Sequence, residues 1–242
     1  MEVKRKMTKE IEVELTYYRE LNQEIRDCIR AGETEFKLTR VFGQRYIGDA
    51  LQAPVHIDIT GTPGNDMAAF MDGATIEVHG NGQDQVANTM NDGTIVIHGR
   101  CGDATGYGMR GGSVYIRDSV GWRNGIHMKQ YQDKCPTLVI GGDAGAFLGE
   151  YMAGGIILLL GKPEKYVGNG MHGGMIYLAE PLPDHMVNEG LIQEELEDFD
   201  RAKIQELLDN YNAYFGRDEQ ITSSSFRRLH PASSRPYAGM YT

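Results

Sequence analysis

The segments MDGATIEVHG (71–80) and MNDGTIVIHG (90–99) carry the same pattern of residue types at a distance of 19 residues. A row of methionines extends this spacing, with one step of 24 residues where five are inserted: Met71, Met90, Met109, Met128, Met152 and Met171. Two further rows keep the same register, namely Gly61, Gly80, Gly99, Gly142 and Gly161, and Ala74, Gly93, Gly112, Gly155 and Gly174. Three rows in one register predict a solenoid of stacked coils.

Each period contains one segment that alternates in polarity, as a β-strand with one buried face does. Seven such segments occur, at 56–60, 75–79, 94–98, 113–117, 137–141, 156–160 and 175–179. Their second and fourth residues are all aliphatic, as in Ile76 and Val78. The repeat therefore predicts an all-β solenoid, a single-stranded parallel β-helix with 19-residue coils and strands about 4.8 Å apart. Methionine, which fills irregular gaps, would complete its core.

Two helices are predicted to flank the β-helix. Residues 16–30 place their apolar side chains on one side before Gly32, and residues 201–214 do so before Gly216. The apolar positions of the second helix are Ile204, Leu207, Leu208, Tyr211 and Tyr214. The predicted divisions of the chain are an N-terminal helical segment (1–35), the β-helix (36–180), an acidic connector with the C-terminal helix (181–216), and an extended tail (217–242) that is either disordered or a docking arm.

The outward-facing strand positions become apolar along the solenoid. Tyr115, Val139, Leu158 and Tyr177 would form a column about 14 Å long, and proteins rarely leave such a surface in water. Either the C-terminal helix or a partner protein covers it, and we favour the helix because an intramolecular contact avoids the entropy cost of association. The candidate partner contacts are Tyr115, Leu158 and Tyr177 in the column, and Lys129 and Tyr131 in the insertion 129–136, since insertions in repeats often map to a binding face.

The sequence offers no recognised set of catalytic, cofactor-binding or metal-binding residues. His79 and His98 lie one period apart, but Arg117 follows one period later, which favours a surface pair over a metal site. Asp84 and Asp103 are also one period apart and are expected to form local hydrogen bonds in turns, with cation binding as the alternative. The three cysteines are too far apart for a disulfide framework or a zinc site, with a reactive thiol at Cys135 as the alternative to three ordinary thiols.

Composition excludes several classes of partner. The formal net charge of -10 disfavours binding to a phosphate backbone, so no nucleic-acid partner is expected. The longest apolar run, 154–161, is too short to span a bilayer, and the charged N-terminus does not resemble a signal peptide. We therefore expect a cytoplasmic protein with no membrane partner.

The later coils resemble a known family. The segments GDAG (142–145), GEYMAGG (149–155), LLLGK (158–162) and VGNGMHGG (167–174) are similar to the C-terminal GXGXG domain of the glutamate synthase large subunit. The similarity covers roughly residues 38–178 and is most specific in the last two coils. A related repeat occurs in one of the subunits of formylmethanofuran dehydrogenase. The resemblance implies that the β-helix is right-handed.

The same resemblance implies a function through partners. The chain has no N-terminal cysteine nucleophile, no FMN barrel and no iron–sulfur cysteine cluster, so it looks like a stand-alone form of this one domain. It implies a non-catalytic structural subunit of a glutamate synthase-like complex, with FMN, iron–sulfur and glutamine chemistry on amidotransferase and synthase partners. Homo-oligomerisation stays open. The alternatives are a scaffold subunit of another redox complex, of the formylmethanofuran dehydrogenase kind, and a β-helix polysaccharide lyase. A hexapeptide-repeat acyltransferase fits poorly, because 19 is not a multiple of six.

Overall fold

The computed structural model describes residues 8–216 and 226–233. Within these residues, eleven strands form one sheet in the order β1-β2-β3-β4-β5-β6-β7-β8-β9-β11-β10. The elements are β1 (Lys9–Glu12), α1 (Tyr18–Arg30), β2 (Glu35–Phe42), β3 (His56–Thr62), β4 (Asp72–His79), β5 (Asp92–Ile97), β6 (Ser113–Ile116), β7 (Thr137–Ile140), β8 (Ala153–Leu159), β9 (Gly173–Leu178), a short 3-10 helix (Asp184–Met186), β10 (Leu191–Glu194), α2 (Asp198–Phe215) and β11 (Arg227–Pro231).

The strands from β1 to β9 are parallel to their neighbours, and β3 to β9 stack in the register that the 19-residue repeat with its five-residue insertion predicts. Ile57 pairs with Ile76, Ile76 with Ile95, and the same column continues through the later strands to Ile176. Side chains on this inner face are fully buried. The methionines spaced by the repeat, from Met71 to Met171, are also buried, with slight exposure only at Met171. The predicted β-solenoid with a methionine-lined core is confirmed.

The methionine row and one glycine row depend on each other. A Cβ atom on Gly112 would lie 2.5 Å from the Cε atom of Met90, and one on Gly174 would lie 2.5 Å from the Cε atom of Met152. Atoms this close would overlap, so the methyl group of each methionine fills the space that a glycine of the next coil leaves open. The two rows found in the sequence are the two sides of one packing contact.

The side of each coil away from the sheet has an unusual backbone. Three alternate residues take a positive φ, as at Gln85, Ala87 and Thr89 (φ 58°, 62° and 54°) and, one coil later, at Ala104, Gly106 and Gly108. Their amides donate alternately to the following and the preceding coil: Gln85 to Asp103, Ala87 to Met67 and Thr89 to Tyr107. Both sides of the solenoid are thus held by hydrogen bonds between coils, and glycine is favoured where φ is positive.

Both ends of the core are covered by elements outside the repeat. At the start, α1 buries Leu21 and Ile25 in the main core, and the Asn22 amide donates to the carbonyl oxygen of Arg45 at 3.0 Å. At the other end, β11 pairs antiparallel with β9 and β10 pairs antiparallel with β11. These additions protect the ends of a sheet that would otherwise pair with other chains.

Helix α2 covers the apolar column. Tyr115, Val139, Leu158 and Tyr177 form a second core cluster with residues of the connector, of α2 and of the position before β11: Leu196, Ile204, Leu207, Leu208, Tyr211 and Phe226. The helix begins with a capping box between Glu197 and Asp200 and ends at Gly216, whose φ is 62°. The expectation that the helix, rather than a partner, covers this column is confirmed.

The predicted divisions of the chain miss three strands. The segment 1–35 contains β1 as well as α1, the acidic connector contains β10, and the tail contains β11. These strands were missed because they lie outside the repeat, so no periodicity marks them. Residues 217–225 and 234–242 of the predicted tail lie outside the described residues.

Two glycine substitutions should separate the cost of a positive φ from the cost of a close approach between coils. Gly108→Ala places a Cβ in ordinary van der Waals contact, 3.7 Å from the Oγ1 atom of Thr89, so the cost is the positive φ of 57°, about 1 kcal/mol. Gly80→Ala places a Cβ 2.1 Å from the carbonyl oxygen of Gly61, which forces coils apart and should cost about 3 kcal/mol. Denaturant unfolding measures both, and equal costs would contradict the close approach of coils at Gly80.

Leu158→Asp should unfold the protein rather than release a partner. Leu158 is fully buried beneath α2, and a carboxylate there should lower the free energy of unfolding by at least about 4 kcal/mol. The control Leu15→Asp changes a side chain that is 96% exposed and should leave the melting temperature unchanged. A Leu158→Asp protein with an unchanged melting temperature and a smaller apparent size in gel filtration would show that another chain covers the column.

Candidate functional site

Three of the predicted partner contacts are corrected by the position of α2. Tyr115, Leu158 and Tyr177 are buried by the helix, so they present no surface to another protein. The Tyr177 hydroxyl donates to Asp200 at 2.7 Å, and burial together with this carboxylate raises the tyrosine pKa above its ordinary value. The column therefore holds the chain's own helix in place.

An ion network fixes the strand after α2 on the same side. Arg228 on β11 lies between Glu194, Glu197 and Asp200, with a distance of 3.0 Å between its Nη1 atom and the buried Asp200 carboxylate. His230 adds a contact of 2.7 Å to Glu194. Because every charge in this network has a partner within the chain, its role is to attach β11 to the helix.

The other two predicted contacts, Lys129 and Tyr131, lie on the surface. The insertion makes a tight turn in which Tyr131 and Lys134 pair through their backbones, and the Tyr131 side chain is 52% exposed. Lys134 reaches back to Asp72 at 3.2 Å and Asp92 at 3.0 Å, and these carboxylates raise its pKa. The insertion is therefore tied to two earlier coils, and Lys129 and Tyr131 stay predicted contacts.

An exposed aromatic surface lies on the side with alternating positive φ. We call it the aromatic face; its exposed members are Tyr107, Trp122, His127, Tyr151 and Tyr166, and the half-buried Phe147 lies among them. The rings of His127 and Tyr151 stack at 5.3 Å, and those of Phe147 and Tyr166 stack at 4.8 Å. These rings stack because residues one coil apart occupy the same position in neighbouring coils.

Charged side chains pack against the aromatic face and pair with one another. The Arg123 guanidinium lies 4.9 Å from the centre of the Phe147 ring and also pairs with Glu150, a carboxylate that is almost completely buried. Glu150 in turn accepts a hydrogen bond of 3.4 Å from Asn169. A buried carboxylate with these partners keeps the surrounding side chains in one arrangement.

The aspartates one period apart act as links between coils. Asp84 accepts from the Asp103 amide at 2.9 Å, Asp103 accepts from the Trp122 amide at 2.7 Å, and Asp143 accepts from the Lys162 amide at 2.7 Å. Each carboxylate thus satisfies a backbone donor of the next coil. The expectation of local hydrogen bonds within turns is therefore corrected, because these bonds join residues 19 positions apart in successive coils.

The thiols of Cys101 and Cys135 have raised pKa values. Burial raises the pKa of the Cys101 thiol to about 12, and partial desolvation raises the pKa of Cys135, although that residue is exposed. The reactive form of cysteine is the thiolate, which a raised pKa makes scarce at neutral pH. This disfavours the interpretation of Cys135 as a reactive thiol.

A cluster of imidazoles and carboxylates lies on the outer face of β3, β4 and β5. The Nε2 atom of His79 lies 2.8 Å from Asp58, and that of His98 lies 2.7 Å from Glu77. The two rings stack at 4.8 Å. Sequence reasoning found the histidine pair but did not join the carboxylates to it, although strand alternation places both carboxylates on the outer face. The signal was a separation of 21 residues, one period plus two, which joins diagonal neighbours on one face.

Neither α1 nor α2 is long and apolar enough to cross a membrane, and this statement covers only the described part of the chain.

The fold defines a parallel β-solenoid whose coils alternate a strand with a glycine-rich backbone of positive φ. The sequence model of the GXGXG motif family matches residues 2–228, and the chain belongs to this family. It is also similar to an uncharacterized protein of Methanocaldococcus jannaschii, with 45% identity over 243 aligned residues that cover 93% of each chain. The resemblance of the later coils to a GXGXG domain is thereby confirmed.

Proposed function

We propose that this protein is a non-catalytic structural subunit of a glutamate synthase-type complex, in which it holds amidotransferase and FMN-dependent synthase components together. The observation that carries the proposal is the aromatic face on a solenoid of the GXGXG family. In this role the protein positions its partners relative to one another, and catalysis takes place on those partners.

The composition of the aromatic face supports a contact with another protein. Aromatic residues and arginine are enriched in protein interfaces and supply most of the binding energy. Trp122 is 57% exposed, although tryptophan is usually well buried in a monomer. Stacked rings and the Arg123–Glu150 pair hold the surface in one arrangement before a partner arrives, which reduces the entropy cost of binding.

Two aspartates that could act as acids are engaged in hydrogen bonds between coils. Asp84 and Asp103 accept hydrogen bonds from the next coil, which is poor support for the lyase alternative, since a lyase needs acids that face a substrate. The raised pKa of Cys101 is poor support for a thiol nucleophile. We assign FMN, iron–sulfur clusters and glutamine hydrolysis to the partner proteins.

A scaffold role in a formylmethanofuran dehydrogenase-type complex is the second candidate, since the same GXGXG repeat occurs there. The two assignments differ in the partner: a glutamine amidotransferase with a flavoprotein in one, a molybdenum or tungsten enzyme in the other.

The proposal predicts that a tagged copy of the chain, purified from its native cells, carries an amidotransferase and an FMN protein. The double variant Trp122→Ser with Tyr166→Ser should retain less than about a tenth of these partners, because hot-spot aromatics each contribute about 2 kcal/mol or more. The matched control is Phe42→Ser, an 85% exposed aromatic outside the aromatic face, which should retain them all. Mass spectrometry of the purified material measures the retention.

Each other outcome has a definite meaning. Full retention by the double variant, shown to be folded by its melting curve, would move the docking site away from the aromatic face. A molybdenum or tungsten enzyme in the wild-type material would favour the second candidate. Wild-type material without any partner protein would contradict a structural role in a complex.

The proposal also predicts that the isolated chain is colourless and releases no ammonia from glutamine. Absorbance between 350 and 500 nm (about the range of flavin absorption) and a coupled ammonia assay measure the two properties, with a reconstituted mixture of chain and partners as the positive control. A flavin spectrum in the pure chain, or glutaminase activity that survives repeated purification, would show that chemistry resides in this protein itself.

A further inference from the structure

Five potential metal ligands lie together on the outer face of the early coils, in a position that the proposed function does not use. They occupy neighbouring strands on one face of the sheet: His56, Asp58, Glu77, His79 and His98. Their side chains are part-exposed, so solvent and ions reach them. Two groups of three can be formed from them, and Glu77 belongs to both.

The group of Glu77, His79 and His98 offers two imidazoles, whereas the group of His56, Asp58 and Glu77 offers one. One ligand atom from each lies within 4.8 Å of the other two, and the distance from the His98 Nε2 atom to Glu77 is 2.7 Å. A zinc ion bound at about 2.0–2.1 Å to each ligand requires ligand atoms a little over 3 Å apart. Small rotations about side-chain bonds bring the three atoms to that spacing, because their strands are neighbours in the sheet.

The charges around the cluster favour a cation. Asp58 and Glu77 are direct neighbours on β3 and β4, and like charges in such a position repel. Within residues 8–216 and 226–233, neither carboxylate has an ion pair with lysine or arginine. Lys37 adjoins Asp58 in the register of β2, on the side away from Glu77. Among the described residues, Glu77 therefore has only an imidazole to balance its charge.

Neither of the two neighbouring groups, Arg117 and the end of α2, places an unbalanced positive charge at the cluster. Arg117, the residue in register with His98 on the next coil, forms hydrogen bonds of 3.0 and 2.9 Å with Asp118, so its charge is balanced there. The C-terminal end of α2 also lies beside the cluster, where the centres of the Phe215 and His98 rings are 5.1 Å apart. The last turn of this helix has no basic residue, and the helix dipole there attracts positive charge.

We propose that His79, His98 and Glu77 bind one divalent transition-metal ion of the zinc class. Two imidazole nitrogens and one carboxylate oxygen are a ligand set that zinc and its neighbours in the first transition series prefer, whereas magnesium and calcium prefer oxygen alone. Three protein ligands leave one position for water or an external ligand. Asp58 contacts the Nε2 atom of His79, so it supports this ligand when His79 binds the metal through its Nδ1 atom.

Titration calorimetry of the untagged, EDTA-treated full chain with zinc chloride tests the proposal. The wild type should bind one equivalent with a dissociation constant in the micromolar range or below. His98→Gln and Glu77→Gln should each weaken binding at least about tenfold. The matched control is His127→Gln, an exposed histidine on the aromatic face, which should bind zinc as the wild type does.

X-ray absorption of the zinc-loaded wild type gives a second measurement that does not depend on a variant folding. The expected spectrum has nitrogen and oxygen neighbours at about 2.0–2.1 Å with the scattering of two imidazoles. Absence of saturable binding in the wild type, unchanged affinity in both variants, or sulfur at about 2.3 Å would overturn the proposal. The site and the aromatic face lie on different sides of the coils, so partner capture can fail while zinc binding holds, and the reverse.

Discussion

Backbone hydrogen bonds between coils, kept in one register on both sides of the solenoid, determine the arrangement of the whole molecule. On the sheet side the central positions of the strands pair in register, as Ile76 does with Ile95, and the shift in this strand pair lies before them, between Asp72 and Thr75. On the other side, amides such as those of Ala87 and Thr89 bond to the preceding and the following coil. Because neither side can slip, a residue and its counterpart 19 positions later lie one above the other. Extra residues must leave the coil, as the insertion near Tyr131 does.

This register converts spacing in the sequence into distance in space. Met90 meets Gly112, the aspartates bond to the next coil, and rings such as Phe147 and Tyr166 stack. A single substitution therefore affects contacts with the coils above and below it. The same register brings similar side chains together, because residues of one type in one column lie next to each other. It produces the apolar column under α2, the aromatic face, and the cluster of imidazoles and carboxylates.

The period made the repeated part of the fold predictable, since it fixed strand, register and inward face together, and it also gave the apolar column that α2 covers. It could not give β1, β10 or β11, because these strands pair with the ends of the solenoid and resemble no coil. Positive φ was equally hidden where Ala87 or Thr89 replaces glycine, since tertiary hydrogen bonds impose that conformation on residues that do not prefer it. The imidazole–carboxylate contacts were missed because only the directly stacked column was considered, while His98 reaches Glu77 diagonally.

The position of α2 determines which part of the outer sheet face is covered and which part is open to solvent. α2, together with Leu196 and Phe226, covers the outer sheet face of the later coils from Tyr115 to Tyr177, and the helix ends beside His98. Earlier strands have polar outward residues such as Asp58 and Glu77, so they need no cover and remain open. The change from polar to apolar outward residues therefore decides where the helix can bind, and the end of the helix decides where ligands and ions have access. A partner that contacts the aromatic face approaches from another side and leaves both intact.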